Sequence, residues 1–354
     1  MLNYQTLRPF IFKTNPETAH SIVESVARVS PNIPMLLPFL SYKNCIYDSI
    51  LAQKIDGMDF YNPVGLAAGF DKNATMIESL CAFGFSHLEL GAVTPLAQNG
   101  NDKPRLWRHI QEESIQNAMG FNNEGANAVN ARLRKLFPFV IPLGVNIGKN
   151  KITPQEKAMK DYLSLARDFK QTSDYLSVNL SSPNTPNLRD LQNVNFIKDL
   201  LLELCKIYTK PIYLKIAPDL EIDFALSLIE VAINSGAKGI IATNTTSDYS
   251  LVSQPQDKGG ISGKVLASKS REMLKQISLS LKDKNQKTTL ISVGGITDAQ
   301  EAYIRIRLGA NLVQVFSALI FEGPSLIRKI NLDLKDLLER DGFNHISEAV
   351  GVDL

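Results

Sequence analysis

Lysine, asparagine, serine and threonine side chains that could bind an anion or move a proton follow short apolar runs along this sequence. The clearest examples are Lys72, Asn146, Lys215, the Asn179–Asn184 segment and the Thr243–Thr246 segment. Directed into one cavity, these lysines and asparagines would suit a planar anion that carries several carbonyl groups. The same positions offer no cluster of carboxylates and histidines for a metal ion, and they include no nucleophile elbow. The sequence therefore indicates anion binding rather than metal or triad chemistry.

Glycines mark a second chemical feature. Gly294-Gly295 and Ser317 follow the last two apolar runs, and Gly263 ends the sequence GGISG. In α/β barrels the loops after the last two strands form the common phosphate site, to which backbone N–H groups contribute. A tight turn explains any one of these glycines at least as well. The prediction of a phosphate site therefore depends on their coincidence at these loops.

Eight short apolar runs must position these residues. They are near-continuous, as expected of parallel strands buried on both faces. Helical patterns follow most of them, such as Ile222–Asn234, which Gly236 ends. Eight such units in one chain predict an α/β fold, a (βα)8 TIM barrel whose active site lies at the carboxyl ends of the strands. We also expect a hairpin over Trp107–Asn117 and a polar loop without helical period over residues 247–262. The eight runs are Pro63–Ala68, Leu88–Val93, Leu143–Ile147, Leu176–Leu180, Ile212–Ile216, Gly239–Thr243, Thr289–Val293 and Leu312–Phe316.

Residues 1–40 are predicted to form an N-terminal amphipathic helical extension, and residues 41–354 the barrel. Asn15-Pro16-Glu17 is typical of a helix start, and apolar residues then recur at helical spacing. Prolines break the following segment, which is nevertheless rich in large apolar residues. Two interpretations remain open: a helical hairpin packed on the barrel, or an apolar face that contacts a membrane or a lipid-like substrate. No apolar run reaches the roughly 18 residues that span a bilayer.

Composition narrows the class of protein. The 354 residues include 44% hydrophobic and 21% charged residues, with a formal net charge of +2. This near balance of charge gives no indication of a protein that binds nucleic acid. Cys45, Cys81 and Cys205 are far apart in sequence, which argues against a disulfide framework or a zinc site. A reducing, cytoplasmic compartment fits this pattern.

Ten motifs together resemble the dihydroorotate dehydrogenase family. In chain order they are VGLAAGFDK, GNDKPRLWR, NAMGFNNEG, VNIGKNK, NLSSPNTPNLRDLQ, LKIAPD, IATNTT, GGISG, SVGGI and LVQVFSALIFEGP. The resemblance implies an enzyme that oxidises dihydroorotate to orotate in pyrimidine biosynthesis. It also implies one non-covalently bound FMN in each chain.

Two features resemble the quinone-linked branch of this family rather than its soluble branch. Ser182 stands in the NLSSPN loop where the soluble branch would have a cysteine, and the extension at residues 1–40 is present. This resemblance implies a membrane quinone as electron acceptor, peripheral attachment to the cytoplasmic face of the cell membrane, and no obligatory protein partner. His20 and Arg108 match positions that line the quinone's path. The alternatives are a structural histidine and an arginine paired with a nearby acid.

By this resemblance Ser182 is the catalytic base, which takes a proton from C5 of dihydroorotate while a hydride leaves C6 for the flavin. Because a serine hydroxyl is a poor base, it would need a desolvated site and a proton relay. The alternative is that Ser182 binds a phosphate or caps a turn. The positions that match substrate-binding residues are Lys72, Asn117, Ala118, Met119, Gly120, Phe121, Asn179, Asn184, Asn244 and Thr245. Those that match FMN-binding residues are Ala68, Gly69, Phe70, Asp71, Lys72, Ala92, Asn146, Asn179, Lys215, Thr243, Gly263, Gly295, Phe316 and Ser317.

Some alternatives concern single residues. Lys215 could instead form a salt bridge at a strand end, and an asparagine in a loop could simply stabilise a turn. Ala92 and Phe316 depart from the family pattern, which usually has threonine and commonly has tyrosine there. The details of the flavin and quinone contacts depend on these two positions.

Three other functions compete with this interpretation. A soluble-branch dihydroorotate dehydrogenase is disfavoured by Ser182 and the extension. Another FMN barrel, such as a tRNA dihydrouridine synthase, would need a cysteine acid and a basic RNA-binding region, which the near-balanced charge does not supply. A catalytically silent flavin-binding or membrane-surface protein would have no reason to keep Ser182, Lys72 and the asparagines together.

Overall fold

A closed barrel of parallel strands forms the centre of the protein, as seen in a computed structural model that describes residues 4–284 and 286–354. The strands of these residues are β1 (Gln53–Ile55), β2 (Met58–Phe60), β3 (Val64–Leu66), β4 (His87–Val93), β5 (Leu106–His109), β6 (Ser114–Asn117), β7 (Leu143–Ile147), β8 (Tyr175–Asn179), β9 (Ile212–Ile216), β10 (Gly239–Ala242), β11 (Gly260–Gly263), β12 (Thr289–Val293) and β13 (Leu312–Val315). Eight of them close the barrel in the order β10-β12-β13-β3-β4-β7-β8-β9. Each of these eight overlaps a predicted apolar run, so the predicted (βα)8 barrel is confirmed.

Helices surround the barrel and precede it. They are α1 (Tyr4–Phe12), α2 (Pro16–Val29), α3 (Leu36–Asn44), α4 (Ile77–Cys81), α5 (Gly125–Leu136), α6 (Ala158–Phe169), α7 (Val194–Ile207), α8 (Ile222–Asn234), α9 (Ala267–Asp283), α10 (Ala299–Arg307), α11 (Ser317–Glu322), α12 (Leu326–Arg340) and α13 (Ile346–Ala349). The α8 helix has the predicted bounds, and Gly236 follows it with a φ of +107°, a conformation that favours glycine.

Glycines on the inner face of the barrel make room for large rings at its amino-terminal end. A Cβ atom at Gly65 would lie 2.1 Å from the His87 ring, and one at Gly144 would lie 2.1 Å from the Tyr175 ring. These rings fill the barrel from below, together with Phe60 of the β1–β2 hairpin, which packs edge-on against His87. The open end of the barrel is therefore its carboxyl end, where the polar residues lie.

A small antiparallel sheet stands at this carboxyl end, because its strands belong to the loops that follow β4 and β10. The β5–β6 pair forms the predicted hairpin. The expectation of an irregular loop over residues 247–262 is wrong in part, since Tyr249–Leu251 forms one 3-10 turn and Gly260–Gly263 pairs with β6 as β11. Glycine-rich backbone can approach a neighbouring strand closely without showing an alternating apolar pattern.

The N-terminal extension is helical, as predicted. The α2 helix begins at Pro16, and the side chain of Asn15 accepts hydrogen bonds from the first backbone N–H groups. The α3 helix runs past residue 40 to Asn44, so the helical segment ends four residues beyond the predicted boundary. The extension is tied to the barrel, since the Tyr4 hydroxyl donates to the Ile320 carbonyl over 2.6 Å. In the described part of the chain no helix is long and apolar enough to cross a membrane.

Candidate active site

A cavity of about 480 Å³ opens at the carboxyl ends of the barrel strands. This volume falls in the usual range for small-molecule sites. Its inner wall carries the polar residues that follow the barrel strands, and its outer wall carries apolar residues of α1, α2 and α11. All the candidate site residues line this cavity except Asp71 and Ala118.

Ser182 lies buried in the loop that follows β8, beside residues of two other loops. The Asn184 backbone N–H donates to its Oγ over 3.2 Å, and Nδ2 of Asn184 donates to Oδ1 of Asn117 over 2.8 Å. Oδ1 of Asn184 and Oγ1 of Thr245 are buried and have no hydrogen-bond partner among the described residues. Because buried polar atoms are normally paired, these two are available to a ligand.

Three asparagines form a chain of hydrogen bonds along the inner wall. Nδ2 of Asn179 donates to Oδ1 of Asn146 over 2.9 Å. Nδ2 of Asn244 donates to Oδ1 of Asn179 over 3.3 Å and to Oγ of Ser181 over 3.0 Å. The chain therefore connects the ends of β7, β8 and β10 to the loop that carries Ser182.

Glu89, beneath the cavity, is a site residue that the sequence analysis misses. Its side chain is fully buried and pairs with Lys215, with 3.3 Å between Oε1 and Nζ. It also accepts hydrogen bonds from Nδ2 of Asn146 over 2.8 Å and from Nε2 of Gln314 over 2.9 Å. The alternation of polar and apolar residues along β4 is the signal that could have placed Glu89 on the inner face. Lys215 thus forms a strand-end salt bridge and also lines the cavity.

A clamp formed by Arg189 and Asp219 holds the Ser182 loop against its neighbours. The Arg189 guanidinium donates to the Ser181 carbonyl over 3.1 Å, to the Thr245 carbonyl over 3.0 Å and to the Asp219 carboxylate over 3.0 Å. Burial alone would raise the pKa of Asp219. Hydrogen bonds from Lys269 and neighbouring groups outweigh it and lower this pKa to about 2. The carboxylate is therefore charged, and the clamp intact, throughout the neutral pH range.

Lys72 presents a positive charge to the cavity, whereas two other predicted residues face elsewhere. Burial, and then the charge of Arg105, lower the pKa of Lys72 to about 8, so its ammonium is mostly charged at neutral pH. Oδ2 of Asp71 instead accepts the Met76 N–H over 2.8 Å, which shapes the loop after β3. Ala118 pairs through its backbone with the Arg105 carbonyl. Asp71 and Ala118 therefore support the site without lining it.

Gly263, Gly295 and Ser317 are the residues from which the sequence predicts a phosphate site. All three line the cavity, and Oγ of Ser317 lies 3.0 Å from Oγ of Ser262. The backbone N–H groups of Gly295 and Ser317 donate to no acceptor within the described ranges. Gly295 has a φ of +79°, and a Cβ there would lie 2.4 Å from the backbone of Ala267. Packing therefore requires glycine at this position.

The outer end of the cavity is apolar and includes both residues predicted for the quinone path. The His20 ring packs edge-on against Phe70 at 5.1 Å, and Phe70 packs against Phe316 at 5.8 Å. Burial, and then the charge of Lys72, lower the pKa of His20 to about 4, so its ring is neutral at neutral pH. Among the described residues Arg108 forms none of the ion pairs considered above; it donates to the carbonyl of Thr14 over 2.8 Å.

Comparisons with known proteins agree on one family. The sequence profile described as Dihydroorotate dehydrogenase matches residues 50–338. The chain is 52% identical to the dihydroorotate dehydrogenase (quinone) of Sulfurimonas denitrificans, over 100% of this chain and 99% of that protein. It is 50% identical to the protein of the same name from Nitratiruptor sp., over 100% of both chains. A crystal structure of DHODH from Eimeria tenella, in complex with ferulenol, superposes with a TM-score of 0.86 at 31% identity, and covers 100% of this chain and 99% of that one.

We predict that Arg189→Met loosens the loop that carries Ser182, because it removes the donors to two loop carbonyls and leaves Asp219 without this partner. Amide hydrogen exchange over residues 181–191 should rise about tenfold, and the free energy of unfolding should fall by about 1–3 kcal/mol. Lys264→Met is the matched control, since it removes a largely exposed pair with Glu113 and should change neither quantity measurably. Unchanged exchange in Arg189→Met would contradict the role of the clamp.

Proposed function

The chain belongs to the dihydroorotate dehydrogenase family, and on that premise we propose how its residues carry out the quinone-linked reaction. It oxidises dihydroorotate to orotate in pyrimidine biosynthesis, with a quinone as electron acceptor. We assign the roles of the residues from their positions at the two ends of one cavity. Ser182, Lys72 and the asparagines line its polar inner end, and helices α1 and α2 form its apolar outer end.

The flavin of this family is assigned here as one non-covalently bound FMN. When bound, FMN would accept the hydride that leaves C6 of dihydroorotate. Its phosphate would be held by Ser317 and by the free N–H groups around Gly295, with Gly263 nearby. Gln314 keeps a buried Oε1 without a partner among the described residues, and Lys215 brings a positive charge to the same wall. The remaining wall would be formed by Ala68, Gly69, Phe70, Ala92, Asn146, Asn179, Thr243 and Phe316.

Ser182 is the residue assigned to remove the proton. Its Oγ would take the proton from C5 of dihydroorotate as its own hydroxyl proton passes on toward solvent. The Asn184 N–H that points at this oxygen would stabilise negative charge on it. Because a serine hydroxyl is only weakly acidic, the rate of proton removal should rise with pH. The burial of Ser182 also keeps competing water away from its Oγ.

Lys72 and the asparagines are assigned to bind the substrate. The Lys72 ammonium would pair with the substrate carboxylate, and this attraction is lost as the pH rises past about 8, the pKa of Lys72. Asn117, Asn184 and Asn244 carry amides that can both donate to and accept from the ring of dihydroorotate. Thr245 and the backbone of residues 119–121 complete this end of the site.

We assign two roles to the N-terminal extension: binding to the membrane surface and admission of the quinone. Among the described residues, 11 of the 19 large hydrophobic side chains that are exposed lie between Leu7 and Tyr47. Such a concentration on amphipathic helices favours binding in the plane of a membrane surface. The protein would then be peripheral at the cytoplasmic face of the cell membrane. A quinone would enter between α1 and α2 and reach the flavin past His20 and Phe70, without crossing water.

Ser182→Ala tests the assignment of the base. Wild-type protein should be yellow and release FMN on heating, and the variant should retain FMN. Reduction of the enzyme by dihydroorotate should slow by at least about a hundredfold, because proton transfer loses its acceptor. Ser182→Cys should retain part of the activity, since a thiolate forms more readily than an alkoxide. A wild-type rate in Ser182→Ala would place the base elsewhere.

Val23→Trp tests the quinone path. Val23 lines the cavity and is half-exposed, so a larger side chain there should narrow the path without unfolding the helix. Reduction by dihydroorotate should stay at the wild-type rate, whereas reoxidation by a quinone should slow by roughly tenfold or more in stopped-flow traces. Val26→Trp is the matched control, since Val26 lies one turn away on the same exposed face and outside the cavity. Equal reoxidation rates in the two variants would exclude this path.

A further inference from the structure

We propose that Glu89 is a positioning residue that fixes the direction of the Asn146 amide and so anchors the lower end of the asparagine chain, whose amides offer donors and acceptors to the substrate. The inference rests on the function proposed above, since orotate is the ligand that this pattern would recognise. Glu89 does not line the cavity, and its side chain has no exposed surface. It acts through the residues that it orients.

An ionised carboxylate can only accept hydrogen bonds. Glu89 is paired with the Lys215 ammonium and receives two further side-chain donors, so both of its oxygens act as acceptors. The amide of Asn146 must therefore turn its Nδ2 toward Glu89, and its Oδ1 faces away. An asparagine amide next to a neutral partner could adopt either orientation, but next to this carboxylate it can adopt only one.

The orientation of Asn146 matches that of the next two residues in the chain. Because Oδ1 of Asn146 faces Asn179, that residue must present its Nδ2, and its own Oδ1 then faces the Ser182 loop. This Oδ1 accepts from Nδ2 of Asn244 and from the Ser181 N–H. The Asn244 Oδ1 in turn accepts the Thr245 N–H over 2.8 Å. The backbone N–H groups of Ser181 and Thr245 thus hold the upper two amides in the same direction that the buried charge of Glu89 imposes on Asn146 from below.

Lys215 does not share this role, although it shares the charge. Its three N–H donors can satisfy Glu89 or a ligand, but they impose no direction on the asparagines. Removal of Glu89 therefore has two separate effects: Lys215 loses its counter-ion, and Asn146 loses a partner that can only accept hydrogen bonds. Removing Lys215 as well cancels the loss of its counter-ion, but it does not restore the acceptor for Asn146.

The test compares orotate with an analogue in which one ring N–H is methylated, by isothermal titration of flavin-loaded protein. Glu89→Gln supplies a side-chain amide that can donate as well as accept, so Asn146 can reverse. We expect orotate affinity to fall about tenfold and the preference for orotate over the analogue to shrink by a similar factor, because a reversed Asn146 would direct its Nδ2 at Nδ2 of Asn179 and displace the amides that face the ring. The double variant Glu89→Gln/Lys215→Met removes the unpaired ammonium that could prevent folding, and it should show the same loss of preference.

Asp56→Asn is the matched control at the opposite end of the barrel. Asp56 accepts from the hydroxyls of Tyr213 and Thr289 over 2.8 and 2.7 Å, and hydroxyls can reverse without disturbing a chain of amides. The Asp56→Asn variant should bind orotate with wild-type affinity and show the wild-type preference for orotate over the methylated analogue.

A folded, flavin-loaded double variant that keeps the wild-type preference would overturn the role of Glu89. So would an equal loss of affinity for both ligands, which indicates general loosening. If wild-type protein binds neither flavin nor orotate, the proposed function itself fails, and this inference with it.

Discussion

The buried pair of Glu89 and Lys215 is the interaction on which the rest of the site depends. A carboxylate inside a barrel is strongly destabilising unless a cation and further donors surround it. Here the donors come from Asn146 on β7, Lys215 on β9 and Gln314 on β13, so the electrostatic requirement of one residue ties three separated strands together. Satisfying that charge also places three polar side chains at the base of the cavity.

The cavity above this pair joins two kinds of surface that a water-soluble substrate and a lipid-soluble acceptor would each require. The Ser182 loop and the asparagines make the inner end polar, and the Arg189 clamp holds that loop in place. The outer end is closed by helices that come before the barrel in the chain and expose apolar side chains to the surroundings. One chain can thus bring a polar anion and a hydrophobic quinone to the same flavin, and the proposed membrane-facing surface would belong to the same helices.

Sequence patterns were sufficient to predict the barrel and to indicate many of the residues that line the cavity, because parallel buried strands and the loops after them leave local signals. The bounds of α8 and the cap at Asn15 are of this kind. What could not be predicted depends on contacts between residues distant in sequence. Glu89 looks like an isolated acid in an apolar run until β7, β9 and β13 surround it. Asp71 looks like a ligand-binding acid until its carboxylate is found on backbone N–H groups of its own loop. The strand β11 depends on the β5–β6 hairpin, from which it is separated by the β7–β10 strands.

The direction of the amide chain can be observed most directly by neutron diffraction from a deuterated crystal of the orotate-bound enzyme. Neutron density reveals hydrogen positions, which distinguish Nδ2 from Oδ1 without inference from the surroundings. We predict deuterium on Nδ2 of Asn146 directed at an unprotonated Glu89, and deuterium on Nδ2 of Asn179 directed at Oδ1 of Asn146. A protonated Glu89 that donates to Oδ1 of Asn146, with Asn179 reversed, would contradict this prediction.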